Sequence, residues 1–154
     1  MYSWSAGYIV TGLEEFRRLV TERLEGRVLL VTVFGSRAKG RWGLVSDVDV
    51  AVLPASEEVD ERLLLACEVA ELASLAFGVP DDRVDVVFLD EELPIGLLYE
   101  AVARGVLTYC ADEDLYARLR LRVISEYLDF RLFREKLELE HKFVKALGRG
   151  LVNG

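Results

Sequence analysis

One stretch limits what this chain can fold into more than any other. It reads Phe34-Gly35-Ser36-Arg37-Ala38-Lys39-Gly40-Arg41-Trp42-Gly43-Leu44-Val45-Ser46-Asp47-Val48-Asp49. An apolar run, Val28 to Phe34, leads into a basic loop punctuated by glycine. A second apolar run, Val48 to Leu53, follows, with Asp47 and Asp49 at its mouth. Runs of this length, rich in Val and Leu, read as strands covered on both faces. On a strand, residues two apart point to the same side, so Asp47 and Asp49 share one. Gly35 lets the backbone approach a ligand closely, and Ser36 adds a hydroxyl and an N–H for a phosphate oxygen. Paired carboxylates beside such a loop point to magnesium and a nucleoside triphosphate.

Magnesium prefers carboxylate oxygens together with substrate phosphates. Two such ions about 3.5–4 Å apart need roughly three carboxylates, one of them bridging. Asp47 and Asp49 supply two. The best third is Asp85, in the run Arg83 to Leu89, where Val84, Val86, Val87 and Phe88 read as buried. A lone aspartate in such a run is costly unless it is paired or on a metal. Asp81 and Asp82 beside Pro80 read as turn residues. Arg37, Lys39 and Arg41 put positive charge in the loop, either on the triphosphate or as solvated surface. The order Gly-x-x-x-x-Gly-Lys-Ser/Thr is absent, which disfavours P-loop chemistry.

Around this stretch the hydrophobic spacing predicts a first helix over 11–26. Thr11 and Glu14 form its capping box, Leu13, Phe16, Val20 and Leu24 line one face, and Gly26 ends it. A second helix is expected over 57–77, its stripe being Val59, Leu63, Ala66, Ala70 and Ala73. A short helix over 94–104 and a strand over 106–109 follow. Residues 112–147 hold neither Pro nor Gly. One helix of that length would run about 50 Å at 1.5 Å per residue, so it either projects or breaks near Tyr127 to Phe130. The order of elements implies an α/β (α+β) fold, a small mixed sheet with helices packed on it and a long C-terminal helical segment.

With 154 residues and 52% hydrophobic composition the chain suits one domain with a real core. A net charge of −8 repels a nucleic-acid backbone, so no direct nucleic-acid contact is expected, while a nucleotide carried with magnesium is compatible. No apolar run reaches the roughly 20 residues that span a bilayer. The N-terminus lacks the basic region of a signal peptide. A cytoplasmic protein without membrane contact is expected. Cys67 and Cys110 read as reduced core residues, and His141 as surface. The absence of Gln, with a single Asn, resembles a thermophile's avoidance of thermolabile amides. A mean hydropathy of +0.22 suggests apolar surface covered by a partner.

Gly35-Ser36, ten residues, then Asp47-Val48-Asp49 resembles the Gly-Ser-x10-Asp-x-Asp signature of the DNA polymerase β-like nucleotidyltransferase superfamily. The chain's length and the strand Arg83-Val84-Asp85-Val86-Val87 look like its minimal nucleotidyltransferase (MNT) branch. Residues 121–130 look like the C-terminal helix of that branch's antitoxins, which are paired with HEPN-domain toxins. The resemblance covers roughly residues 28–140. It implies a nucleotidyltransferase core over 1–110 with a C-terminal helical extension of the same domain over 111–154. It implies phosphate contacts from Gly35 and Ser36, with Arg37 and Lys39 beside them, and two magnesium ions held by Asp47, Asp49 and Asp85. It implies transfer of AMP from ATP to a tyrosine of a HEPN RNase toxin, which neutralises the toxin, and an oligomer or hetero-complex formed through the C-terminal helix. Two alternatives remain at this stage: a non-catalytic antitoxin that acts by binding, and a nucleotidyltransferase for a small molecule such as an aminoglycoside.

Overall fold

The computed structural model describes residues 3–35, 47–90 and 92–152, with side chains from 12 to 150 within those ranges. Its strands form one mixed four-stranded sheet in the order β3-β2-β1-β4. The chain runs α1 (Ser3–Leu24), β1 (Val28–Phe34), β2 (Val48–Pro54), α2 (Val59–Phe77), β3 (Val84–Phe88), α3 (Ile95–Leu98), β4 (Val106–Cys110) and α4 (Glu113–Val152). A 3-10 turn, Asp81–Arg83, precedes β3, and a π-helical turn, Tyr99–Ala103, extends α3. β1 pairs antiparallel with β2 and with β4, while β2 and β3 are parallel, with α2 as their crossover.

The central strands carry apolar side chains on both faces because both faces are covered. Val31, Val33, Val48, Val50 and Val52 join Phe16, Val20 and Leu24 of α1 and Leu65, Val69 and Leu72 of α2 in one cluster. Leu30, Phe34 and Ala51 point the other way, onto Leu98, Ala101, Val102 and Val123 of α3, the π turn and α4. Thr32 is the polar exception in β1; its hydroxyl donates to the Ala101 carbonyl at 2.8 Å, which pins the π turn to the strand.

Several expectations are corrected. α1 starts at Ser3, so Thr11 lies inside the helix and cannot be the cap of a capping box. Gly12 is also interior. A methyl group there would press on the Phe77 ring, so this glycine lets α1 and α2 approach closely. The face of α2 that meets the core is Leu65, Val69, Leu72 and Ala73, whereas Val59 and Leu63 are exposed. An apolar helix offers more than one stripe at spacings of three and four, and the sheet selects one. Cys67 lies on the outward side and is exposed, not a core residue; Cys110 is half-buried, and both are free thiols. α4 does not break near Tyr127 to Phe130. It is one helix of 40 residues, about 60 Å long, anchored by Tyr116, Leu119 and Val123 and by the stacking of Tyr127 on Tyr99 at 3.9 Å. Everything from Leu128 to Gly150 is exposed.

The ends of α1 and α2 follow from glycine. Gly26 and Gly78 take φ of 82° and 67°, a left-handed backbone that glycine adopts without steric cost. The Gly78 N–H then donates to the Ser74 carbonyl at 3.0 Å, and the Ser74 hydroxyl donates to the Val79 carbonyl at 2.5 Å. Among the described residues no helix is long and apolar enough to cross a membrane.

Candidate active site

The sheet builds the site by register. Phe34, the last residue of β1, pairs with Asp49 of β2, and Asp49 pairs with Asp85 of β3. These three residues form one row across the sheet. Asp49 alternates with Val48 and Val50, which face α1 and α2, and Asp85 alternates with Val84 and Val86 in the same way. Both aspartates therefore leave the sheet on its other face, the side of α3 and α4. Asp47 stands just before β2 and is exposed.

Asp85 is exposed too, which corrects the expectation that its strand is buried throughout. β3 is the edge of the sheet, and an edge strand leaves one flank without a neighbouring strand. Burial therefore does not make Asp85 costly, while its place beside Asp49 in the sheet remains.

Gly35 turns the chain out of β1 at φ 78°. Its missing side chain also makes room: a Cβ at this position would overlap the Asp49 Oδ2 atom. The residue read as a close approach for a phosphate thus also admits a carboxylate. Gly105 repeats the device behind the strand, where a Cβ would strike the Ala101 carbonyl. Thr32, Ala101 and Gly105 together set the floor behind the end of β1. The sequence signals for this were faint: one hydroxyl in an apolar strand and one glycine before β4.

Partial burial pushes the Asp49 carboxyl above its ordinary value, and the negative charges of Asp85 and then Asp47 push it further. Among the described residues, the charges that act on Asp49 are like its own. Among the described residues, no group of three or more His, Cys, Asp or Glu side chains is close enough to hold a metal ion unaided. The donors nevertheless suit magnesium, which takes one or two carboxylates and completes its shell with water and substrate phosphates. A cation there would relieve the repulsion felt by Asp49. Ser36, Arg37 and Lys39, the other expected contacts, lie outside the described residues.

Cavities of about 450 and 490 Å³ lie at the opposite end of the sheet. The first is lined by Pro54, Ser56 and Arg62, the second by Leu53, Leu89 and Arg118. Neither touches the carboxylate row. Arg62 bridges elements there, lying over the Phe88 ring and 3.9 Å from Asp90.

Comparison with known proteins gives a consistent picture. One chain of a crystal structure described as a toxin–antitoxin with AMP-PNP superposes with a TM-score of 0.58 at 22% identity, covering 79% of this chain and 94% of that one. A chain of the toxin–antitoxin MntA-HepT matches with a TM-score of 0.54 at 20% identity over 82% and 92%. A third belongs to a tri-AMPylated Shewanella oneidensis HEPN toxin in complex with MNT antitoxin, with a TM-score of 0.50 at 21% identity over 89% and 95%. At these identities the likeness establishes the fold. No curated protein sequence is significantly similar to the chain. The family described as "Polymerase beta, Nucleotidyltransferase" matches residues 20–114, well over half of the sequence and including the whole carboxylate row. The chain belongs to the polymerase β nucleotidyltransferase family.

Proposed function

We propose that this protein is a magnesium-dependent adenylyltransferase of the MNT antitoxin type, which moves AMP from ATP onto a tyrosine of a HEPN-domain partner. The observation that carries the reading is the alignment of Asp49 with Asp85 beside Gly35. The family match supports nucleotidyl transfer, and the fold shared with toxin–antitoxin complexes, one of them tri-AMPylated, supports a protein acceptor.

In this reading the tyrosine oxygen attacks the α-phosphorus of ATP. The new bond joins the two, the bond to the β-phosphate oxygen breaks, and pyrophosphate leaves. The tyrosine proton passes to Asp85, whose exposed carboxylate accepts it and releases it to water. Asp47, Asp49 and Asp85 would hold magnesium, which when bound neutralises the triphosphate and the leaving pyrophosphate. In the same reading Gly35, Ser36, Arg37 and Lys39 are the residues that contact the phosphates. Asp49, fixed by its place in β2 and by the space at Gly35, orients the site. An acidic protein with an open, edge-of-sheet carboxylate suits an acceptor carried by another folded protein, since a side chain on a large partner needs an unobstructed approach.

The test is the intact mass of a HEPN-domain partner after incubation with the protein, magnesium and ATP. Gain of one or more AMP units, absent with Asp47→Ala, is the expected result. An unchanged mass in a stable complex would replace catalysis with neutralisation by binding.

A further inference from the structure

We infer that the projecting half of α4 is a dimerisation arm that lies on the outward face of α2 in a second copy of this chain. The stripe by which α4 packs on its own domain is Tyr116, Leu119 and Val123, followed by Tyr127, which stacks on Tyr99. The same stripe continues beyond the domain as Phe130, Phe133, Leu137, Val144 and Leu147, all exposed. Phe133 keeps 59% of its surface and Val144 65%. A second stripe, Leu128, Leu132, Leu139 and Phe143, runs along another side of the helix. A helix apolar on two sides belongs in an interface, not in water.

The charge pattern selects the occupant. After Glu140 the arm carries Lys142, Lys145 and Arg149 and no acidic side chain. α2 is a surface of the opposite sign, with Asp60, Glu61, Glu68 and Glu71 against a single arginine. Its outward face exposes Leu63, Leu64 and Leu75. Interleaved with them are Asp60 and Glu71, and Arg62 is the helix's one cation. Glu68, also on α2, is already engaged by Arg27 at 2.5 Å. The two surfaces also match in length. α2 has 19 residues, about 28 Å, and residues 130–149 of the arm span about 30 Å. A two-fold axis places each arm on the other copy's α2, so the contact is made twice and closes without forming a chain of molecules. Leucines on both sides provide the burial, and the basic arm against the acidic helix fixes direction and register.

Sedimentation velocity on the full chain tests this, at about 1–100 µM and at low and high salt. The expected result is a dimer that weakens as salt rises. Lys142→Glu with Lys145→Glu, both on exposed positions, should raise the dissociation constant about tenfold or more, with the far-UV spectrum unchanged. Adding Asp60→Lys and Glu71→Lys should restore the dimer. A monomer throughout the range overturns the inference and leaves the arm for a different protein. So does a dimer indifferent to the first pair, or one that the second pair does not restore. None of these readings depends on nucleotide transfer.

Discussion

The Asp49 carboxylate occupies the space that a side chain on Gly35 would fill. Glycine is thus required twice at this position, once for the backbone at φ 78° and once for the acid beside it. Gly35→Ala should cost about 1–3 kcal/mol, the left-handed penalty plus displacement of Asp49. It should cut nucleotidyl transfer about 100-fold, since an ångström of misplacement is enough. Gly26→Ala is the control: it has φ 82° with open space where its Cβ would stand. Its cost should be about 1–2 kcal/mol, with transfer intact. Chemical denaturation and a turnover assay separate the two.

Asp49→Asn should raise the melting temperature in EDTA while abolishing transfer. Burial and two neighbouring carboxylates hold the Asp49 pKa above its ordinary value of 3.8. Between the two values the folded state keeps a proton that the unfolded state has lost, so stability falls as pH rises through that window. Melting curves in EDTA from about pH 4 upward should show this slope in the wild type and a smaller one in the variant. Saturating magnesium should flatten it in the wild type alone. A variant less stable than the wild type in EDTA would contradict the account.

Asp85→Asn should remove transfer with little change in stability, within about 0.5 kcal/mol, because the residue is an exposed position on an edge strand. Asp82→Asn, in the turn before β3, should leave both unchanged. Measuring kcat and KM for the pair distinguishes a reacting carboxylate from general negative charge near the strand.

Thr32→Val keeps the shape of a buried residue but removes the hydroxyl that donates to Ala101. The carbonyl is left without that donor in the π turn, at a cost of about 1–3 kcal/mol. Hydrogen exchange should then quicken through Tyr99–Ala103 more than through α2.

Where the chain gave strong local signals, the elements could be read directly. Val28–Phe34 appears in the structure with the predicted limits, because a continuous apolar run bounded by Gly26 and Gly35 has one comfortable conformation. The second, third and fourth strands shift by a residue or so at their ends. The carboxylates of β2 and β3 were legible as candidates, and the parallel register adds that Asp49 and Asp85 face each other. What sequence could not decide was phase and exposure. α2 carries apolar residues on more than one stripe of helical spacing, so Leu63 and Leu65 compete for the core and only the sheet chooses. Cys67 goes outward with that choice. Asp85 looked buried because its neighbours are Val and Phe, yet an edge strand exposes what a central strand would cover. The continuity of α4 was equally hidden, since a helix that outruns its domain needs a second surface that local spacing does not reveal.

The most direct measurement is transfer of label from ATP to a HEPN-domain partner, with the label placed on either the α- or the γ-phosphate. Covalent labelling from the α-phosphate alone, dependent on magnesium and absent with Asp49→Asn, is the predicted result. Labelling from the γ-phosphate, or α-labelling that persists in the variant, would contradict nucleotidyl transfer by the Asp47, Asp49 and Asp85 site.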